Sequence, residues 1–306
     1  MSRCFADGGL HIIVFERFGF GMTLKGFLKA ALKAFLAFAI YFGWQIIVVN
    51  WAYIAATFFV MPGIDPSALT GADYDSMLIE FQNKAAEIVM NYSMHLTLVS
   101  GILAALTFFI IAKARRKKFL DDLGVRKLPA NLIPVLILLG ASLNIFVSLA
   151  LNLIPFPQEW IESYTESASQ LSNGGLIVST IVTVITAPIV EEMTFRGYMY
   201  KGLKTGMPMF AAMLISSWVF GLVHGEVIWV IYASLLGLMF TWTTEKCGSL
   251  LASMIVHMTF NLFGVLSEYM GEISEWAFWL LLVSSAFAAL AAVIFISRSS
   301  DRKIEF

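Results

Sequence analysis

Long apolar stretches, charge-free but for two carboxylates at the end of the fourth, recur along the whole chain, near residues 34–61, 93–112, 131–155, 174–195, 207–224, 227–243, 249–267 and 276–296. A helix needs about 20 apolar residues to cross a bilayer's hydrocarbon core, and each run approaches or exceeds that length. In lipid the backbone must satisfy its own hydrogen bonds, and the residue-by-residue alternation of barrel strands is absent, so every run reads as a helix. The expected fold is all-α, a polytopic transmembrane bundle of about eight helices. Charged residues make up 13% of the 306-residue chain, against roughly 25% in soluble domains, which leaves no room for a sizeable soluble domain. The bilayer itself is the first partner implied, and a net charge of −1 gives no sign of nucleic-acid binding.

The distribution of Lys and Arg sets the expected orientation. Lys113, Arg115, Arg116, Lys117 and Lys118 follow the second run, Arg196, Lys201 and Lys204 the fourth, Lys246 the sixth, and Arg298, Arg302 and Lys303 the last. The alternate loops are acidic: Asp65, Asp73, Asp75, Glu80 and Glu87; Glu159, Glu162 and Glu166; Glu268, Glu272 and Glu275. Both termini are therefore expected in the cytoplasm. Cys4 and Cys247 fall on that reducing side, so neither a disulfide nor a thiolate metal site is expected. Residues 1–33 read as a cytoplasmic tail ending in a basic segment with Lys25, Lys29 and Lys33 at four-residue spacing. That segment is either an amphipathic surface helix or the ordinary positive flank of the first span. Residues 34–173 hold the first three spans, with an outer loop over 62–92 that carries a short helix near 76–89. Residues 174–267 form the chemically distinctive core, and 268–306 the last span with its basic tail.

Two adjacent carboxylates, Glu191 and Glu192, end the fourth run after Pro188. A charge at a membrane helix centre costs about 3 kcal/mol on insertion scales, so it persists with a partner or a function. Glu192 and Arg196 are one turn apart in the order that favours an ion pair. Glu191 lies about 100° round the helix, turned away from that pair and available for proton transfer. His224 ends the fifth run, sharing a face with Phe220, and His257 and Asn261 stack one turn apart on the seventh. A carboxylate with an imidazole can deprotonate water, and an imidazole with a carboxamide can donate to an oxyanion. A zinc site on Glu191, His224 and His257 is the rival, with Asn261 a poor ligand for it. Other polar residues inside runs, Gln45, Asn50, Asn144 and Asn152, read as interhelical hydrogen bonders, and His11 and His95 as bystanders.

Three ordered motifs, Glu191-Glu192-x-x-x-Arg196, Phe220-x-x-x-His224 and His257-x-x-x-Asn261, resemble those of the CPBP family, also called the Abi or type II CAAX prenyl protease family. The resemblance covers about residues 175–265. It implies an intramembrane endopeptidase that needs no cofactor, zinc being the alternative. The residues matching Glu191 and His224 would activate water, and those matching His257 and Asn261 would form the oxyanion hole. It also implies a membrane-associated or transmembrane peptide substrate, which need not be prenylated, and a bacterial cytoplasmic membrane as the setting. A proton-coupled transporter and a non-catalytic membrane scaffold are the competing functions. With upright helices, His224 would sit about 26 Å along the fifth run from Met207, too far from Glu191. A tilted or shortened fifth helix is required if the two are to meet.

Overall fold

The computed structural model describes residues 23–63, 74–172 and 175–299. Cys4 and His11, the charged loop residues Asp65 and Asp73, and the tail residues Arg302 and Lys303 lie outside the described residues. Eleven helices follow in order: α1 (Leu24–Val60), α2 (Tyr74–Asn91), α3 (Ser93–Ala114), α4 (Phe119–Leu123), α5 (Leu132–Leu151), α6 (Gln158–Ser169), α7 (Leu176–Leu203), α8 (Met209–Leu222), α9 (Val227–Cys247), α10 (Leu250–Ser267) and α11 (Glu275–Ser299). Among the described residues there is no β-strand. Seven helices, α1, α3, α5, α7, α9, α10 and α11, are long and apolar enough to cross a membrane. The chain is an integral multi-pass membrane protein. Phe59, Ile177 and Trp276 are each more than 70% exposed, as apolar side chains are when lipid rather than water surrounds them.

The fifth of the eight expected spans is shorter than the others. Helix α8 has 14 residues, about 21 Å at 1.5 Å per residue, against a hydrocarbon core of roughly 30 Å. It stops at Leu222, and the chain turns through His224 N–H to Gly221 O at 3.0 Å and Gly225 at φ 80°, a conformation glycine adopts without penalty. The stretch containing Lys25, Lys29 and Lys33 is not a separate surface helix. It forms the first turns of α1, capped by the Thr23 side chain, which accepts from Gly26 N. The expected loop helix is present as α2.

Helix α7 is the axis of the bundle. Its carboxy-terminal half packs on α1 and α8, its middle on α3, and α10 runs against it. Hydrophobic gain between helices is small in lipid, so close approach and polar bonds carry the packing. Ala30, Ala34 and Ala37 make the buried seam of α1, and a Cβ on Gly206 would stand 2.3 Å from Gly26 O. Small residues at both places let α1 lie directly on the end of α7.

Candidate active site

Helix α7 is not uniformly α-helical: Ile181–Thr186 and Met193–Tyr200 are π-helical, and the α-helical turn Ala187–Glu192 lies between them. Pro188 accounts for the first widening. In the π register Ala187 N–H bonds Val182 O, and the next donor in that register would be residue 188, which as proline has no N–H. Thr183 O is thereby left for another donor, and Asn261 Nδ2 from α10 takes it at 2.8 Å. The proline-distorted turn that presents Glu191 and Glu192 is thus splinted from α10.

The two acids face different surroundings. Glu192 is fully buried, and its Oε1 accepts from Arg196 Nη1 at 2.9 Å and from His257 Nδ1 at 3.0 Å. Arg196, also 0% exposed, donates Nη2 to Gly237 O at 3.1 Å and packs its guanidinium 4.3 Å from the Phe220 ring centroid and 5.3 Å from that of Phe240. The charge pair is desolvated and joined through Glu192 Oε1, while Glu192 Oε2 is buried with no hydrogen-bond partner among the described residues, so removing either member would leave an uncompensated buried charge. Glu191 instead faces a cavity of about 650 Å³. It accepts from Tyr41 Oη at 3.3 Å, and its Oε2 lies 3.7 Å from His257 Nε2, close enough for electrostatic attraction but longer than a hydrogen bond.

Hydrogen bonding orients both imidazoles. His224 Nδ1 lies 2.8 Å from Phe220 O. A carbonyl only accepts, so Nδ1 carries the proton there and the neutral ring keeps its lone pair on Nε2. His257 donates Nδ1–H to Glu192 in the same manner, and its ring stacks on Phe240 with centroids 4.6 Å apart. Phe220 stands between the imidazoles, 5.0 Å from His224 and 5.8 Å from His257, centroid to centroid.

Glu191, His224, His257, Asn261 and Phe220 all line the same cavity, while Glu192 and Arg196 lie behind it. The short α8 is what brings His224 there. The fixed contacts of Glu191 are with His257 and Tyr41; His224 shares the cavity with Glu191 but is held by Phe220. Among the described residues, no three His, Cys, Asp or Glu side chains converge as metal ligands.

Tyr41 and Gln45 on α1 and Asn144 on α5 join the site from helices the motifs do not reach. Gln45 and Asn144, expected to bond between helices, both line the cavity, and Gln45 bonds Tyr41 on its own helix. Asn50 and Asn152 depart from that expectation too. Their side-chain amides bond Ile46 O and Ser148 O, one turn back on their own helices, which satisfies them without a neighbour. The cavity is covered at its acidic end by α6, whose Tyr164 and Ala168 line it together with Leu171 in the turn that follows. Ser163 and Ser167 tie α6 to the Glu226 carboxylate. Burial pushes the Tyr164 phenol above its usual range, which keeps it a neutral lining group.

Residues 173–263 match the family model described as type II CAAX prenyl endopeptidase Rce1-like, the same stretch that carries the three motifs. The UPF0177 protein YxdF of Lactococcus lactis is 31% identical over 105 residues, which is 34% of this chain and 58% of that protein. The membrane peptidase candidate YdiL of Bacillus subtilis is 30% identical over 88 residues, 29% of this chain and 36% of the other. The chain thus spans less than two thirds of either relative. No solved structure matches.

Proposed function

We propose that the chain is an intramembrane endopeptidase in which Glu191 is the general base for water. One observation carries this reading: of two adjacent intramembrane carboxylates, Glu192 is consumed by Arg196 and His257, while Glu191 is left on the wall of a cavity with two imidazoles and a carboxamide. A cavity of about 650 Å³ is of the size that binds small organic ligands, so it can admit a short extended peptide segment. The Rce1-like match and the likeness to YdiL support the same class of activity.

In the proposed reaction Glu191 takes a proton from water as the water oxygen bonds the scissile carbonyl carbon. The carbonyl π electrons move to oxygen, where the second Nδ2 hydrogen of Asn261 and, when protonated, His257 Nε2 donate to the oxyanion. Collapse of the intermediate breaks the C–N bond, and the leaving nitrogen receives the proton held by Glu191, which restores the carboxylate. His224, with Nε2 as acceptor, assists in orienting and deprotonating the water. The substrate is a membrane-embedded or membrane-associated peptide, and the basic end of the bundle faces the cytoplasm.

The test is cleavage of membrane peptides by the purified, reconstituted protein, with new termini read by mass spectrometry. Glu191→Gln should lower the rate by roughly 10²- to 10⁴-fold, the span of general acid–base contributions, with the protein still folded. Equal cleavage by wild type and variant would overturn the proposal. Loss of activity to a chelator, restored by zinc, would replace it with the zinc-dependent form of the same protease.

A further inference from the structure

A second cavity, of about 480 Å³, opens at the basic end of the bundle between α1, α3, α4 and the end of α7. Its wall holds four cations, Lys33, Arg115, Lys117 and Lys201, and one carboxylate, Asp122. Asp122 is already engaged: Oδ1 accepts from Lys117 Nζ at 2.7 Å and Oδ2 from Tyr198 Oη at 3.2 Å, while its backbone carbonyl takes Lys201 Nζ at 3.1 Å. Four positive charges against one negative leave an excess of three within a single cavity, and such an excess is lowered in free energy by an external anion.

The other wall is apolar, made by Leu36, Ile40, Phe108 and Ile111. Leu36 is half-exposed on the outer surface of α1, so this wall runs out to the side of the bundle that faces acyl chains. A site for a small soluble anion has no use for such a wall. An amphiphile uses both parts.

The backbone reinforces the cationic side. Helix α3 ends in a Schellman turn, with Lys117 N–H on Ala112 O at 3.0 Å and Arg116 N–H on Lys113 O at 2.9 Å. Its left-handed position, usually glycine, is Arg116 at φ 57°. A non-glycine residue there is strained by roughly 1 kcal/mol or more, and the turn sets Arg115 and Lys117 on either side of it, both against the cavity.

We infer that this cavity binds the phosphate-bearing headgroup of an anionic phospholipid, with Arg115, Lys201 and Lys33 around the phosphate and the lipid chains along Leu36 and Ile40. The inference is independent of the protease assignment and stands or falls without any measurement of cleavage.

Native mass spectrometry and thermal melting of the purified full chain test it, with phosphatidylglycerol, phosphatidylcholine and inorganic phosphate as separate additions. Wild type should retain phosphatidylglycerol and melt higher with it, and should respond to neither of the others. The double variant Arg115→Gln, Lys201→Gln should bind phosphatidylglycerol roughly 30-fold more weakly, as expected for two basic groups at an anionic headgroup. The single variant Arg115→Gln serves if the double variant does not fold, and should show a smaller loss in the same direction. Equal retention of the two lipids by wild type, or undiminished phosphatidylglycerol binding by a folded variant, would overturn the proposal. A melting shift from inorganic phosphate equal to that from phosphatidylglycerol would overturn the lipid assignment in favour of a free-anion site.

Discussion

The central cavity and the cavity at the basic end treat charge in opposite ways. Behind the central one the buried charge has its counterion built in, Glu192 meeting Arg196 and His257, while on its wall Glu191 is met by His257 and Tyr41. In the cavity at the basic end four cations share one carboxylate. A site that must hold charge in order to move protons keeps its counterions built in, because any unpaired charge there would shift the protonation it depends on. A site that recruits an outside ion leaves the counterion out.

Substitutions that remove one charge should therefore cost much in the central cavity and little in the other. The largest effect is expected from Arg196→Leu, which strands the fully buried Glu192 and should destabilise the protein by about 3–5 kcal/mol, read by denaturant or thermal melting in detergent. Adding Glu192→Leu to it should recover much of that loss, since an apolar pair of similar volume often replaces a buried ion pair at little cost. If Arg196→Leu melts like wild type, the pair is not what holds this half of the bundle. Next comes Asn261→Leu, which leaves Thr183 O without a donor beside Pro188. It should lose about 1–3 kcal/mol of stability, with faster hydrogen exchange in α7 as the accompanying readout. Removal of the bond to Glu191 in Tyr41→Phe should slow cleavage by about five-fold, the equivalent of about 1 kcal/mol, without a change in melting temperature. The smallest effect is expected from Arg115→Gln in the absence of added lipid, within about 0.5 kcal/mol of wild type. A large loss there would mean that the basic cavity is structural after all.

What the sequence conveyed about these regions follows from how local each signal is. The spans were legible because lipid imposes a length and a composition on each one separately. The Glu192–Arg196 pair was legible because its partners lie one turn apart on one helix. Glu192 also holds His257, 65 residues away, and no local pattern announces that contact. The role of Asn261 on Thr183 O depends on a helix that changes register at Pro188, and spacing rules that assume 3.6 residues per turn do not reach it. Tyr41 and Gln45 are one turn apart on α1, open to the same reasoning that links His257 to Asn261, but Gln45 reads alone as an interhelical hydrogen bonder and Tyr41 gives no signal of its own, because the motifs lie elsewhere. The basic cavity was seen only as flanking charge, since Lys33, Arg115 and Lys201 come together through the packing of three helices.

The central claim is that Glu191 acts on water and does not itself attack the substrate. Single-turnover cleavage in ¹⁸O-labelled water tests it most directly, with the product and the Glu191-bearing peptide of the protein both weighed by mass spectrometry. One ¹⁸O in the new carboxylate of the product and none in Glu191 is the predicted result. Label appearing in Glu191 during that first turnover would mean a covalent acyl intermediate on this residue and would contradict the account.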